Sequence, residues 1–164
     1  MIKPAPIRRS QALVKFSKDH HFALLLIWKI RQGLHFGIEP QRINNYITSF
    51  FQNYLEEHFK EEEELLFVLL NKNNHSRKTA EQDHKVLRQI AEKIKSDPGN
   101  ESIIQDFVTR LEKHIRFEER DLFNELQNTL SEPQLNSIAE KMEASHPYQK
   151  EDNWKDRFWI KSKK

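Results

Sequence analysis

No cysteine occurs among the 164 residues, which excludes a disulfide framework, thiolate-bound zinc, an iron–sulfur cluster and a cysteine nucleophile. Any metal held by this chain must rest on histidine and carboxylate. Glycine appears three times and proline six, too sparsely to punctuate a strand-and-turn protein, so helix is expected everywhere outside a few breaks. Charge of one sign is not in excess either. The 27 Lys and Arg face 25 Asp and Glu, so no overall field selects nucleic acid or an anionic membrane as partner. The longest apolar run, Phe22 to Trp28, is far too short to span a bilayer, and the bases before Ser10 are not followed by a signal-like apolar stretch. A soluble, cytoplasmic protein of one domain, with neither nucleic-acid nor membrane partners, is the expectation.

What is present is a set of amphipathic segments separated by recognisable breaks. Pro4 and Pro6 mark residues 1–16 as an N-terminal arm, of which Gln11 to Phe16 adds at most a turn or two of helix. Ser17 is a candidate cap for a first helix reaching about Leu34, so apolar around His20 to Trp28 that most of its faces are expected to be covered. Gly33, Gly37 and Pro40 mark the next connection, with Pro40 placed for the first turn of a second helix that runs to about Leu70 and whose stripe is Ile47, Phe51, Tyr54, His58, Glu62, Leu65 and Leu69. A third carries Ala80, His84, Leu87, Ala91 and Ile94 and stops near Asp97-Pro98-Gly99. A fourth, capped by Asn100, carries Ile104, Phe107, Leu111, His114, Glu118, Leu122 and Leu126 and ends near Leu130. Short links between such segments make neighbours antiparallel, which predicts an all-α, up-down-up-down four-helix bundle over residues 17–130. Ser131 and Gln134 form a capping box for a short fifth helix ending before Pro147. An aromatic tail follows, and residues 131–164 are expected to pack on the bundle. Trp154 and Phe158, four apart, are placed to clip that tail onto the first helix, with capture of another chain as the rival use.

Two stretches are written to one template: His58-Phe59-Lys60-Glu61-Glu62-Glu63-Glu64-Leu65-Leu66-Phe67 and His114-Ile115-Arg116-Phe117-Glu118-Glu119-Arg120-Asp121-Leu122-Phe123. On a helix the i, i+4 spacing stacks His58 over Glu62 and His114 over Glu118, on the same face as the apolar stripe. Asp19-His20 precedes the first stretch and Asp83-His84 the second, so the chain reads as a twofold repeat of helix pairs. His20 and His21 compete for the first position. The apolar offsets that follow His84 recur after His20 but fail at Arg31 when counted from His21, which favours His20.

Taken singly, each feature is weak. Glu is 18 of 164 residues, so a carboxylate often falls four after a histidine by chance, and Glu61 to Glu64 alone reads as a solvated face. Four histidines and two glutamates on apolar stripes, in two copies of one pattern, are different: two ionised carboxylates in one core require cations. His20, His58, Glu62, His84, His114 and Glu118 are therefore the candidate metal ligands. Four neutral imidazoles and two carboxylates carry a formal charge of −2, suited to two divalent ions bridged by the carboxylates and a hydroxide or oxo group. Nitrogen and oxygen donors without thiolate favour iron or manganese, admit zinc, and disfavour calcium and magnesium. His35, His75 and His146 fall at helix ends or loops and read as surface residues, while Asp19, Asp83, Glu61, Glu63 and Glu119 read as supporting or exposed groups.

The ordered set His20, His58-x-x-x-Glu62, His84, His114-x-x-x-Glu118, over about residues 17 to 130, resembles the hemerythrin-like HHE cation-binding domain family. The resemblance implies a four-helix bundle around two non-haem iron ions, oxo- or hydroxo-bridged, with manganese and zinc as lesser fits. Each iron would take imidazoles from the bundle, and the two glutamates would bridge the pair. It implies binding of dioxygen or a related small diatomic for sensing, storage or redox handling, with an electron donor as a further partner. Turnover of iron, peroxide or nitric oxide by a di-iron oxidoreductase is the alternative. Two departures bear on this. Oxygen-carrying hemerythrins resemble a pattern with a second histidine four residues after the third-helix one, where this chain has Arg88, so one iron is expected to keep a more open site. The related iron-cluster repair proteins look to a cysteine-containing N-terminal segment, which 164 residues without cysteine do not contain. Leu24, Ile27, Leu65, Leu87 and Leu122 are the expected apolar wall of the site.

Overall fold

Ser10 opens the first helix, its hydroxyl accepting the Ala12 amide at 3.3 Å, in a computed structural model that describes residues 8–145 and 152–162. Helix α1 (Gln11–His35) thus starts ahead of Ser17, the expected cap. Burial is the reason. Ala12, Leu13 and Phe16 share an apolar cluster with Ile138 and Met142 of the last helix, and side chains of this size each stabilise the fold by about 1.5–3 kcal/mol when fully buried.

Pro40, at the first helical position, begins α2, which runs over residues 40–65 and contains a wider π turn at Phe51–Leu55. It ends short of the expected Leu70 because the chain tightens into a 3-10 turn, Phe67–Leu69, that carries Phe67 into the core. Asn74 caps α3 (His75–Ser96), its side chain accepting the Arg77 amide at 2.9 Å. Gly99, at a φ of +96°, makes the reversal after it, a conformation that side chains with a Cβ rarely adopt. Asn100 then caps α4, residues 101–129, which has its own π turn at Glu118–Leu122. The predicted box starts α5 (Glu132–Ser145): Ser131 Oγ accepts the Gln134 amide at 3.3 Å and Gln134 Oε1 accepts the Ser131 amide at 2.9 Å.

Two apolar clusters fill the bundle, and each of α1 to α4 contributes to both. Along α1 the order is Phe16 in the first cluster, then His20, then Ala23 in the second; along α2 it is Phe59 in the second, then Glu62, then Leu65 packed against the first. Helix α3 repeats the sense of α1 with Ala80, His84 and Leu87, and α4 repeats that of α2 with Ile115, Glu118 and Leu122. Alternating sense on successive helices is the up-down-up-down bundle. The same bookkeeping puts one polar layer, made of the repeated His and Glu positions, across the core between two apolar ends. Among the described residues no strand occurs, and no helix is long and apolar enough to cross a membrane.

Two expectations about α1 change. Leu24, Leu25 and Trp28 are 39, 41 and 50% exposed, so one face of this very apolar helix is uncovered, and Leu24 is not part of a wall around the polar layer. The tail does return to the bundle, but without a helical turn. Phe158 sits against Gly33 of α1 so closely that a Cβ there would lie 2.7 Å from its ring, while Trp154 and Trp159 pack on Tyr46 of α2. Lys29, buried in α1, meets Asp152 of the tail at 2.5 Å and lies 4.3 Å from the Trp159 ring centre. Tyr46 donates its hydroxyl to the same carboxylate.

Candidate metal centre

The polar layer contains all six of the predicted ligands. Glu62, Glu118 and His84 are fully inaccessible to water, and His20, His58 and His114 are nearly so. His21 is exposed, since one residue along a helix turns the side chain by about 100°. His35 and His75 are exposed as expected, and His146 lies outside the described residues.

Each imidazole turns Nδ1 outward to a carboxylate. His58 meets Asp19 at 3.1 Å and His114 meets Asp83 at 3.2 Å. His20 meets Glu119 at 2.7 Å and His84 meets Glu63 at 2.8 Å. These four carboxylates were read in the sequence only as supporting or exposed groups. They obey the twofold repeat with an exchange: the Asp beside each early histidine serves the later histidine of its own half, while the Glu that follows Glu62 or Glu118 serves the early histidine of the other half. Such a partner fixes the ring's orientation and keeps the proton of a neutral imidazole on Nδ1, leaving Nε2 with a free lone pair.

All four Nε2 atoms point inward. His58 Nε2 lies 2.8 Å from Glu62 and His114 Nε2 3.0 Å from Glu118. His20 Nε2 is 2.9 Å from Glu118 and 3.3 Å from Glu62, and His84 Nε2 is 3.1 Å from Glu62 and 3.6 Å from Glu118. Despite these approaches, His20 Nε2, His58 Nε2 and all four oxygens of Glu62 and Glu118 lack a hydrogen bond of acceptable direction. His84 Nε2 and His114 Nε2 face one another at 3.1 Å. With both protons on Nδ1, two lone pairs would confront each other there, which is tenable only with a cation between or beside them.

The donor atoms resolve into two groups of four, each converging within 4.8 Å: His20, His58, Glu62 and Glu118; and Glu62, His84, His114 and Glu118. Ligand bonds of about 2.1 Å meeting near right angles set neighbouring donors ~3 Å apart, the spacing found here. The residues therefore fit a pair of first-row metal ions, with both glutamates common to the two positions.

Without metal, protons are the available cations. Burial would lower each imidazole, but Glu118, Glu119 and Glu62 around His20, and Glu118, Glu62 and Glu63 around His84, raise both well above the usual imidazole value of 6.5. His58 and His114 are raised as well, against burial, chiefly by Glu62 and Glu118 respectively. Burial and the charge of Glu118 push the Glu62 carboxyl up, yet His58 and His20 hold it down to about 2. Glu118 is likewise depressed against burial, with His114 the foremost cause.

Aromatic rings that the sequence reading did not assign to the site wall it off. Phe59 stacks on His84 with centroids 4.0 Å apart and Phe123 stacks on His20 at 5.3 Å. Phe67 and Phe16 lie beside His84 and His58 at 5.2 and 6.3 Å. Phe67 and Phe123 close the two templates, so a signal for them was present. Of the expected wall, Ile27, Leu87 and Leu122 are buried, whereas Leu65 is only half-buried. Arg88 does not leave a gap where a fifth histidine would stand: its guanidinium bonds Glu56 at 2.8 Å and Glu63 at 2.7 Å and covers the Phe59 ring. Each group of four offers two imidazoles and the same two carboxylates.

A comparison with curated proteins and one with solved structures each give no significant match. A family profile, the hemerythrin HHE cation binding domain, matches residues 14–126, from the first turns of α1 to the last turn of α4. With that match covering more than half of the chain and both His-x-x-x-Glu pairs inside it, the chain belongs to the hemerythrin HHE cation-binding domain family.

Proposed function

We propose that His20, His58, Glu62, His84, His114 and Glu118 hold two non-haem iron ions, and that the protein binds dioxygen or a related small diatomic there for sensing, storage or redox handling. The observation that carries this reading is the shared carboxylate pair: Glu62 and Glu118 belong to both groups of four, and their buried oxygens have no hydrogen-bond partner. Two imidazoles with two carboxylates per ion suit iron, with manganese and zinc as lesser fits. A reduced iron pair supplies the electrons that hold such a diatomic. The chain supplies the rest. Asp19, Asp83, Glu63 and Glu119 hold the four rings in place, and Phe16, Phe59, Phe67 and Phe123 keep bulk water away from the inward Nε2 atoms. An external electron donor and a reducing cytoplasm, which keeps iron divalent, belong to the same reading.

One observation favours turnover of iron, peroxide or nitric oxide instead. Glu63 and Glu119 link His84 and His20 to positions whose side chains are 32 and 26% exposed, giving protons a way in that reversible binding does not need. Adding one equivalent of dioxygen to the reduced, iron-loaded protein separates the two. Reversible binding returns the gas and the original spectrum under vacuum, whereas turnover consumes the gas. A reduced protein indifferent to the gas contradicts both.

A further inference from the structure

Outside the ligands, two arrangements repeat with a fidelity that the sequence repeat does not impose. In one, Arg9 bonds Glu119 through Nε at 3.1 Å and Nη2 at 2.9 Å. Glu119 holds His20 Nδ1, Phe123 stacks on that imidazole at an interplanar angle of 10°, and the guanidinium lies 5.5 Å from the Phe123 centre. In the other, Arg88 bonds Glu63 at 2.7 Å, Glu63 holds His84 Nδ1, and Phe59 stacks on His84 at 15°. There the guanidinium lies 5.6 Å from the Phe59 centre. Arg9 precedes its histidine by eleven positions and Arg88 follows its own by four; Phe123 and Phe59 are also at unrelated places in their templates. Unrelated positions have converged on one motif, a guanidinium over a ring over an imidazole, with a carboxylate joining the two ends.

The charges around the centre give the motif a purpose. Glu62 and Glu118 inside, with Asp19, Asp83, Glu63 and Glu119 on the Nδ1 atoms, are six carboxylates. Arg9 and Arg88, bound directly to two of them, offset part of that negative charge, so the charge that a metal pair meets is set in part by the two guanidiniums. Lost guanidiniums would make the surroundings more negative and so favour the more highly charged pair, and in a core with little water the effect is only weakly screened.

We infer that Arg9 and Arg88 are positioning residues that set the charge of the site so as to favour a divalent over a trivalent metal pair. Resting on the metal-pair reading above, the inference concerns cation charge and not reaction with gas, so redox-inert probes test it. The metal-free full-length chain and its Arg9→Gln, Arg88→Gln and doubly substituted variants are titrated with Zn(II) and with Ga(III) supplied as citrate. Each single substitution is expected to raise the preference for Ga(III) over Zn(II) by about tenfold, as loss of one nearby charge in a partly buried site implies, and the double variant by the product. Arg9→Lys and Arg88→Lys keep the charge but not the fork, and are expected to keep the parental preference. An unchanged ratio in the Gln variants overturns the inference and leaves the metal pair standing, as does a Lys variant that behaves like Gln, which would make the role geometric. If the parent takes up neither ion, both the inference and the metal-pair reading fall.

Discussion

Glu62 and Glu118 lie in both groups of four donors, whereas each histidine lies in one. Substitutions therefore separate by stoichiometry. Glu118→Ala is expected to empty both positions, while His58→Ala or His114→Ala keeps one metal ion per chain; metal analysis of the purified variants reads the difference, and equal loading of all three would contradict shared bridging. Protonation gives a second test at this scale. In the metal-free protein the four imidazoles are raised above 6.5, so the stability they contribute is complete below that value and is lost as pH rises through the raised values. Glu62 and Glu118 are depressed from 4.5, so their contribution is present above that value and is lost as pH falls through the depressed ones. Metal-free protein is thus expected to melt highest between about 4.5 and 6.5. Loaded protein gains relative to it as pH rises, because metal must displace the imidazole protons. Melting temperatures across pH, with and without metal, check both slopes. The six residues of the polar layer were legible, because a histidine and a glutamate four apart on an apolar stripe, twice over, have no packing explanation. Arg9 was not, since before α1 nothing periodic marks it, and Arg88 read as a missing histidine and not as the holder of Glu63.

At the scale of elements, stripe and punctuation marked the five helices of the described residues, and the predicted box at Ser131 and cap at Asn100 appear as hydrogen bonds. The π turns did not show. A wider turn, as at Phe51–Leu55 and Glu118–Leu122, is a compromise between neighbouring helices, not a local preference. The tail's attachment is equally non-local. Gly33→Ala removes a flexible residue from a helix interior, worth about 1 kcal/mol in its favour, but drives a methyl into the Phe158 ring, and such overpacking costs about 1–3 kcal/mol. The substitution is expected to lower the denaturant midpoint of the full chain and to raise it in a Phe158→Ala background; the same sign in both would refute the packing account. Asp152→Asn leaves Lys29 buried without its anion, and a loss of about 3 kcal/mol is expected from broken buried pairs of this kind. Urea unfolding of the variant measures it.

For the whole molecule, the polar layer is a liability that the two apolar clusters carry. A core cut across by four imidazoles and two carboxylates is poorly designed for stability alone, and its design makes sense if folding and cation binding are linked. Ligand binding to the native state alone adds about 2.7 kcal/mol at a hundredfold excess over the dissociation constant, so loaded protein is expected to melt well above metal-free protein. The most direct measurement is the metal content and visible spectrum of the protein after anaerobic reconstitution with iron and exposure to air. The account predicts two irons per chain and an oxo-to-iron charge-transfer band, with the band lost in Glu118→Ala. A colourless protein that takes up no iron would contradict it.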